Sequence, residues 1–266
     1  MASIYYVGDW AVLTGPNFAE SPFQNSMKGL EIFNYGIWLK NALEEGGKHT
    51  VDSIPSWDFY KLGPGEYEKV LADYDVIIFS DVESKLFQLA PSFFDRSKFG
   101  HEVLTFPDRI RLTVEAVQKA GKGMMFLGGW YSFTGEIGKG GWGRTALKDI
   151  LPVECLDHDD LMESTEGYYP KATKQGLERL SGVPFDDCPP ILGYNRTKPR
   201  EDSEVLVEAR ETGDPLVALK RFERGKVLAY MSDPAPHWGC NFVFWPQYAK
   251  FWQRCLDLVL PEEKKA

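Results

Sequence analysis

Hydrophobic and polar positions alternate, cluster and skip along this chain in a way that predicts strands and helices in turn. Ser3 to Val7 is a short β-branched and aromatic run ending at Gly8-Asp9, which predicts a strand. From Met27 to Leu43 the apolar residues Leu30, Phe33, Ile37 and Leu43 fall at helical spacing, and Gly46-Gly47 ends the stretch, which predicts a helix. His49 to Ile54 reads as a second strand, and Glu66 to Ala72 as a short helix. Val76 to Phe79 is apolar without alternation, the mark of a parallel strand buried on both faces, and it ends at Ser80-Asp81. Arg109 to Ala120 is amphipathic and is stopped by Gly121 and Gly123. Met124 to Leu127 is then a fourth apolar strand, ending at Gly128-Gly129. This rhythm predicts a doubly wound, mostly parallel sheet with helices on both faces, in which residues 76–79 and 124–127 are neighbours.

Beyond Trp130 the pattern loosens. Residues 130–195 are rich in Gly, Asp and Pro, with one short helix near Thr145 to Ile150, and read as an insertion. Three β-rich runs follow, Glu204 to Ala209, Pro215 to Phe222 and Lys226 to Met231, before an aromatic helix from Trp245 to Leu260. Neither a Ser/Gly linker nor an internal repeat divides the sequence, so a single domain over residues 1–266 is expected.

Composition narrows the function classes. Of 266 residues 43% are hydrophobic and 26% charged, which fits a folded globular chain. Against 30 Lys and Arg stand 39 Asp and Glu, a net charge of −9 without a long basic run, so nucleic acid is not an expected partner. The first ten residues lack the charged and apolar regions of a secretion signal, and no apolar run approaches the ~18 residues of a membrane span. A cytoplasmic protein without a membrane partner is expected. Cys155, Cys188, Cys240 and Cys255 form no C-x-x-C pair, which argues against a zinc ribbon or redox dithiol, and neither a metal nor a cofactor is expected.

Candidate chemistry gathers at the strand ends. In an open α/β sheet, ligands bind outside the carboxyl ends of the strands, where loops vary on a rigid base. Three apolar runs here finish in a small residue and then an aspartate, at Asp9, Asp81 and Asp233, and a fourth finishes in Gly128-Gly129. One such aspartate is ordinarily a helix cap or a turn former, whereas three together point to a shared site. After Asp233, two prolines flank Ala235 and present His237 from a stiff loop, as a general base or ligand-orienting imidazole requires. Other motifs carry less. The G-x-G-x-x-G match at residues 138–143 starts about ten residues after its strand, so it reads as a loop. Ser132 lacks the glycine of a nucleophile elbow, and Cys240 sits on no evident strand-to-helix turn. The acidic run Asp157-His158-Asp159-Asp160 reads as solvated rather than metal-binding.

Taken together, several stretches resemble one family. Tyr74-Asp75 with Ser80-Asp81, Gly128 to Gly135 (GGWYSFTG), Leu151 to Glu154, Gly193-Tyr194-Asn195, and Ser232 to Gly239 with Trp245 and Tyr248 look like the putative glutamine amidotransferases. These are bacterial cytoplasmic proteins of the class I glutamine amidotransferase-like superfamily. The resemblance implies a flavodoxin-like three-layer α/β/α sandwich, here elaborated by the insertion and by extra C-terminal strands. Class I amidotransferases carry a nucleophilic Cys on the elbow after a central strand, with a His and a Glu near the C-terminus. In this chain the elbow is Gly128-Gly129-Trp130, and the position two beyond His237 is Gly239. Residues 82–85 (Val-Glu-Ser-Lys) depart from the small or amide-bearing loop expected there.

The leading expectation is an amidotransferase-like protein without a catalytic Cys that binds a small polar molecule, such as a carbohydrate or carboxylate. His237, Asp233, Asp81 and Ser132 are the candidates for chemistry. Asp9, Gly128, Gly129, Trp130 and Trp238 are the candidates for contact with the ligand. The alternatives are a His/Asp hydrolase using water or Ser132 as nucleophile, and a non-catalytic scaffold. A homo-oligomer is the expected assembly.

Overall fold

The computed structural model describes the chain apart from residues 16, 22, 23, 28, 103, 107 and 262–266. Its centre is an eight-stranded sheet. In chain order the strands are β1 (Ala2–Gly8), β2 (His49–Ile54), β3 (Val76–Ser80), β4 (Gly123–Leu127), β5 (Pro170–Ala172), β6 (Ser203–Ala209), β7 (Pro215–Arg221) and β8 (Lys226–Tyr230). Across the sheet they run β5-β6-β7-β8-β4-β3-β1-β2. The pairs β2–β1, β1–β3, β3–β4 and β4–β8 are parallel, and β8–β7, β7–β6 and β6–β5 are antiparallel. A five-stranded parallel core is thus extended by three antiparallel strands, and the fold is the mixed α/β, flavodoxin-like one expected.

The unalternating runs are adjacent interior strands. Every residue of β3 and of β4 is buried, because helices cover both faces. Right-handed crossovers dictate that cover: the chain moves outward from β1 to β2, then back past β1 to β3, so successive helices lie on opposite faces. Helix α1 (Ile37–Glu44) packs with the C-terminal helix, and α2 (Pro64–Asp73) packs with α3 (Asp108–Gln118). The C-terminal helix α4 (Tyr248–Val259) buries Tyr248, Phe251, Trp252, Cys255, Leu256 and Val259, one stripe at i, i+3, i+4, i+7, i+8 and i+11.

The expected helix from Met27 to Leu43 is corrected. Only Ile37–Glu44 is helical, while Leu30–Asn34 is a strand paired antiparallel with Trp10–Thr14. The apparent helical stripe is not a buried face, since Leu30 and Ile37 are 63% and 39% exposed. Residues Trp10–Thr14 supply the missing hydrogen-bond partners, and Gly36 donates its N–H to the Asp9 carbonyl at 3.0 Å, so the helix starts after that tie. Segment 130–195 is also more ordered than expected. It contains Val153–Cys155 paired with Thr197–Pro199, Leu161–Tyr168 paired with Ile191–Asn195, and β5 itself, an edge of the main sheet. Thr145 to Ile150 holds a 3-10 turn, Ala146–Asp149. Trp142, fully buried, donates from Nε1 to the Val82 carbonyl at 2.8 Å and fastens this segment to the loop after β3.

The register of the core strands positions the site. Gly8 pairs with Ser80, Ser80 with Leu127, and Leu127 with Tyr230, so the last residues of four parallel strands lie in one row. Gly8 has φ of +117°, and a Cβ there would meet the Ser80 carbonyl oxygen at 1.8 Å. Replacing Gly8 with Ala should therefore lower the unfolding free energy by about 2–3 kcal/mol through strain and overpacking. An unchanged urea midpoint for G8A would show that this close approach is not needed.

Candidate functional site

Three loops leave that row of strand ends with backbone that side chains rarely adopt. Among the described residues five non-glycine residues have positive φ, and Asp9 (+55°), Asp81 (+47°) and His237 (+144°) are three of them. Such conformations persist where surrounding structure holds them, and they concentrate at binding and catalytic sites. All three residues line one cleft of about 650 Å³ together with Asp233, Trp10, Tyr35, Ser56, Trp130 and Tyr131. Glycine makes the approach possible. With φ of +137°, Gly129 faces Asp81 so closely that a Cβ would stand 2.4 Å from Asp81 Oδ1, and that oxygen accepts the Tyr131 N–H at 2.7 Å.

His237 is held on every side but one. Its Nδ1 bonds Asp233 Oδ2 at 2.5 Å, and its ring lies 4.1 Å from that of Trp130 and 5.2 Å from that of Trp238, centre to centre. Glu163 pins both indoles, accepting from Trp130 Nε1 at 3.1 Å and from Trp238 Nε1 at 2.8 Å. The tight loop beneath is fixed by Tyr248, whose hydroxyl donates to the Pro234 carbonyl. Among the described residues Nε2 has no hydrogen-bond partner, which leaves it to a ligand or a water in the cleft.

Burial sets the proton affinities. It pushes Asp9 from 3.8 up to about 6, against the donated hydrogen bond from Tyr6. Burial, then the charge of Asp233, raises Asp81 well above the carboxylate range, and burial, then the charge of Asp9, does the same to Asp233. His237 is held below its ordinary value because its own burial outweighs the attraction of Asp81 and Glu163. Both directions favour the neutral forms of His237 and Asp233, which together hold two protons: one in the bond between them and one on Nε2 or on the other Asp233 oxygen. Glu163 instead stays below the usual range, since the two indole N–H groups stabilise its charge. The arrangement supplies an anchored imidazole with an open nitrogen, several carboxyl groups and aromatic walls.

The structure brings together Asp9, Asp81, Trp130, Asp233 and His237 from the sequence reading. Trp238 lies buried behind His237 rather than on the cleft wall. Gly128 and Gly129 act through their lack of side chains. Ser132 is corrected: it is fully buried, and its hydroxyl donates to the Leu127 carbonyl at 2.6 Å, so it does not face the cleft. Sequence reasoning missed Glu163, whose partners lie 33 and 75 residues away. It also missed the support under the glycines. Gly129 N–H donates to Asn195 Oδ1 at 3.0 Å, Asn195 Nδ2 donates to Asp160 Oδ1 at 2.9 Å, and Asp160 also accepts from Thr134 N–H and Gly135 N–H, each at 2.9 Å. Asp160 is therefore a buried brace, not part of a solvated run. Among the described residues no group of three or more His, Cys, Asp and Glu is arranged to hold a metal ion.

The family model described as putative glutamine amidotransferase matches residues 26–260. The chain belongs to that family. Two solved structures are similar over nearly the whole of this amidotransferase-family chain. The cytoplasmic protein STM3548 from Salmonella typhimurium shares 28% identity at a TM-score of 0.83, covering 97% of this chain and 99% of its own. The cytoplasmic protein STM1381 from Salmonella typhimurium LT2 shares 29% identity at a TM-score of 0.80, with the same coverage. A comparison with curated proteins finds no match. In this family member the electrostatics carry a testable cost. Asp9 holds its proton more tightly when folded, so its contribution to stability is full below about pH 3.8 and is lost as pH rises through about 6. Asp9→Asn keeps an acceptor for Tyr6 and removes that loss. At pH 8 the variant should be more stable than the parent by up to about 3 kcal/mol, at 1.36 kcal/mol per unit, with little difference near pH 4. Urea midpoints at the two pH values check this, and a gain of equal size at both would discount the titration of Asp9.

Proposed function

We propose that this amidotransferase-family chain works without a thiol: it binds a small polar ligand in the strand-end cleft, where the His237–Asp233 pair accepts and returns a proton. The observation that carries this is the 2.5 Å bond from Nδ1 to Asp233 with Nε2 unpaired on the cleft. A ring fixed through one nitrogen offers the other in a defined tautomer and direction. The thiols are placed differently. Among the described residues no cysteine lines the cleft, and burial pushes Cys155 and Cys188 up to about 12 and Cys255 well above its ordinary value, so these remain protonated. Cys240 follows the site loop and donates its N–H to the His237 carbonyl at 3.4 Å.

Hydrolysis of the bound ligand is the second reading, favoured by the same open nitrogen. Its nucleophile is then a water at Nε2, because the Ser132 hydroxyl is committed to Leu127. The two similar Salmonella proteins are described as cytoplasmic, which supports a cytoplasmic setting.

The test is a thermal-shift screen of sugars, amines and carboxylic acids, run beside a glutaminase assay. Ligand-induced stabilisation should survive replacement of all four cysteines by alanine and vanish in His237→Ala. Glu163→Gln should weaken binding by about tenfold by loosening both tryptophans while keeping the fold. A glutaminase activity abolished by Cys240→Ala alone would overturn the proposal.

A further inference from the structure

We propose that the ligand of this cleft is an organic cation whose ammonium or guanidinium head sits among Asp9, Asp81 and Asp233, with its carbon frame beside Trp10, Tyr35 and Trp130. The inference rests on the ligand-binding reading above and adds the chemistry of the ligand.

The first argument is what the lining contains and lacks. Among the described residues three carboxyl groups face the cleft, and neither Lys nor Arg lines it. A carboxylate or phosphate would meet no Lys or Arg there, so the lining favours a cation over the carboxylate that the sequence allowed. Lys85 and Lys139 of the adjoining loops line the neighbouring hollow that shares Ser56, Asp81 and Tyr131, and each has an acidic partner of its own. Lys85 pairs with Glu83 at 3.4 Å, and Lys139 pairs with Glu136 at 3.3 Å and stands 5.3 Å from the centre of the Tyr131 ring.

The second argument is the state of the acids. Buried charges in proteins are paired or neutralised; among the described residues no Lys or Arg pairs these acids, and burial together with their mutual repulsion favours the protonated forms of Asp81 and Asp233. Asp81 Oδ2 has no hydrogen-bond partner among the described residues, while its Oδ1 accepts from Tyr131. A neutral polyol could hydrogen-bond to such a wall but would leave the charge problem as it is. A cation answers it: a carboxylic acid releases its proton to the buffer, the ligand keeps its own, and the ion pair forms in the partly desolvated cleft. The third argument is independent of the carboxyl groups. Aromatic rings on the remaining walls attract cations through their electron-rich faces as well as carbon frames, which suits an amine more than a sugar alone.

The experiment is titration calorimetry at pH 7 in phosphate and in HEPES, buffers that differ in heat of ionisation and carry no net positive charge. The probes are putrescine and agmatine, with 1,4-butanediol and glucose as neutral comparators. The cations should bind about tenfold or more tightly than the diol, with an enthalpy that differs between buffers because protons are released. Asp81→Asn should weaken cation binding about tenfold, and Trp130→Ala, at a residue 41% exposed and safe for the fold, should do the same. Glucose or the diol binding as tightly as the cations would overturn the cation and leave the ligand site standing. The same division follows if no probe binds but the broader screen yields a neutral hit that depends on His237. If neither calorimetry nor the screen finds a ligand, both readings fall.

Discussion

The alignment of four strand ends is the constraint on which the rest of this molecule depends. Because Gly8, Ser80, Leu127 and Tyr230 occupy one row of the parallel core, the residues that follow have no choice but to share an edge. Register in a parallel sheet is fixed by the burial of both faces, since a slip by one residue would turn side chains of β3 and β4 out of their packing. The helices that enforce this burial pack on the faces of the sheet, and they decide that Asp9, Asp81 and Asp233 meet. Packing of the fold and placement of the site are thus one event, and neither loop chemistry nor charge would have assembled three acids at this spot unaided.

That assembly works against stability. Mutually repelling carboxyl groups are buried together, and three backbones are held in the left-handed or adjoining region. Proteins keep such features where function needs them and compensate around them. The compensation here is visible as a second ring of hydrogen bonds. Asp160 and Asn195 hold the glycine loop from below, Glu163 holds the two tryptophans, and Tyr248 holds the loop between Asp233 and His237. Among these only Asp160 and Glu163 are acids, and they differ in environment: Asp160 is deeply buried and pushed up to about 6, whereas Glu163 keeps its charge for the indoles.

Much of this was legible in the sequence, and what was not has a physical reason. The parallel strands announced themselves because burial on both faces removes alternation, and the strand-end aspartates stood out by repetition. His237 was legible from the prolines around it. The segment Leu30–Asn34 was not, because a short apolar pattern fits a helical stripe and a half-exposed ribbon equally well, and its partner Trp10–Thr14 decides between them. Glu163 and Asp160 were illegible for a related reason. Their roles are contacts between distant parts of the chain, and nothing local separates a bracing carboxylate from a solvated one.

The empty nucleophile elbow also follows from this geometry rather than from a single lost residue. At Gly128 a Cβ would stand 2.6 Å from the Met231 carbonyl and 2.8 Å from Asn195 Oδ1. At Gly129 it would stand 2.4 Å from Asp81 Oδ1, on backbone with φ of +137°. The space that a side chain would need at either position is filled, by the neighbouring strand end and the asparagine brace in one case and by the Asp81 carboxyl group in the other. A thiol at Gly129 and the present position of Asp81 are therefore mutually exclusive. The same crowding that brings the acids together closes the elbow, so the arrangement of carboxyl groups and the lack of an elbow cysteine are two expressions of one packing solution.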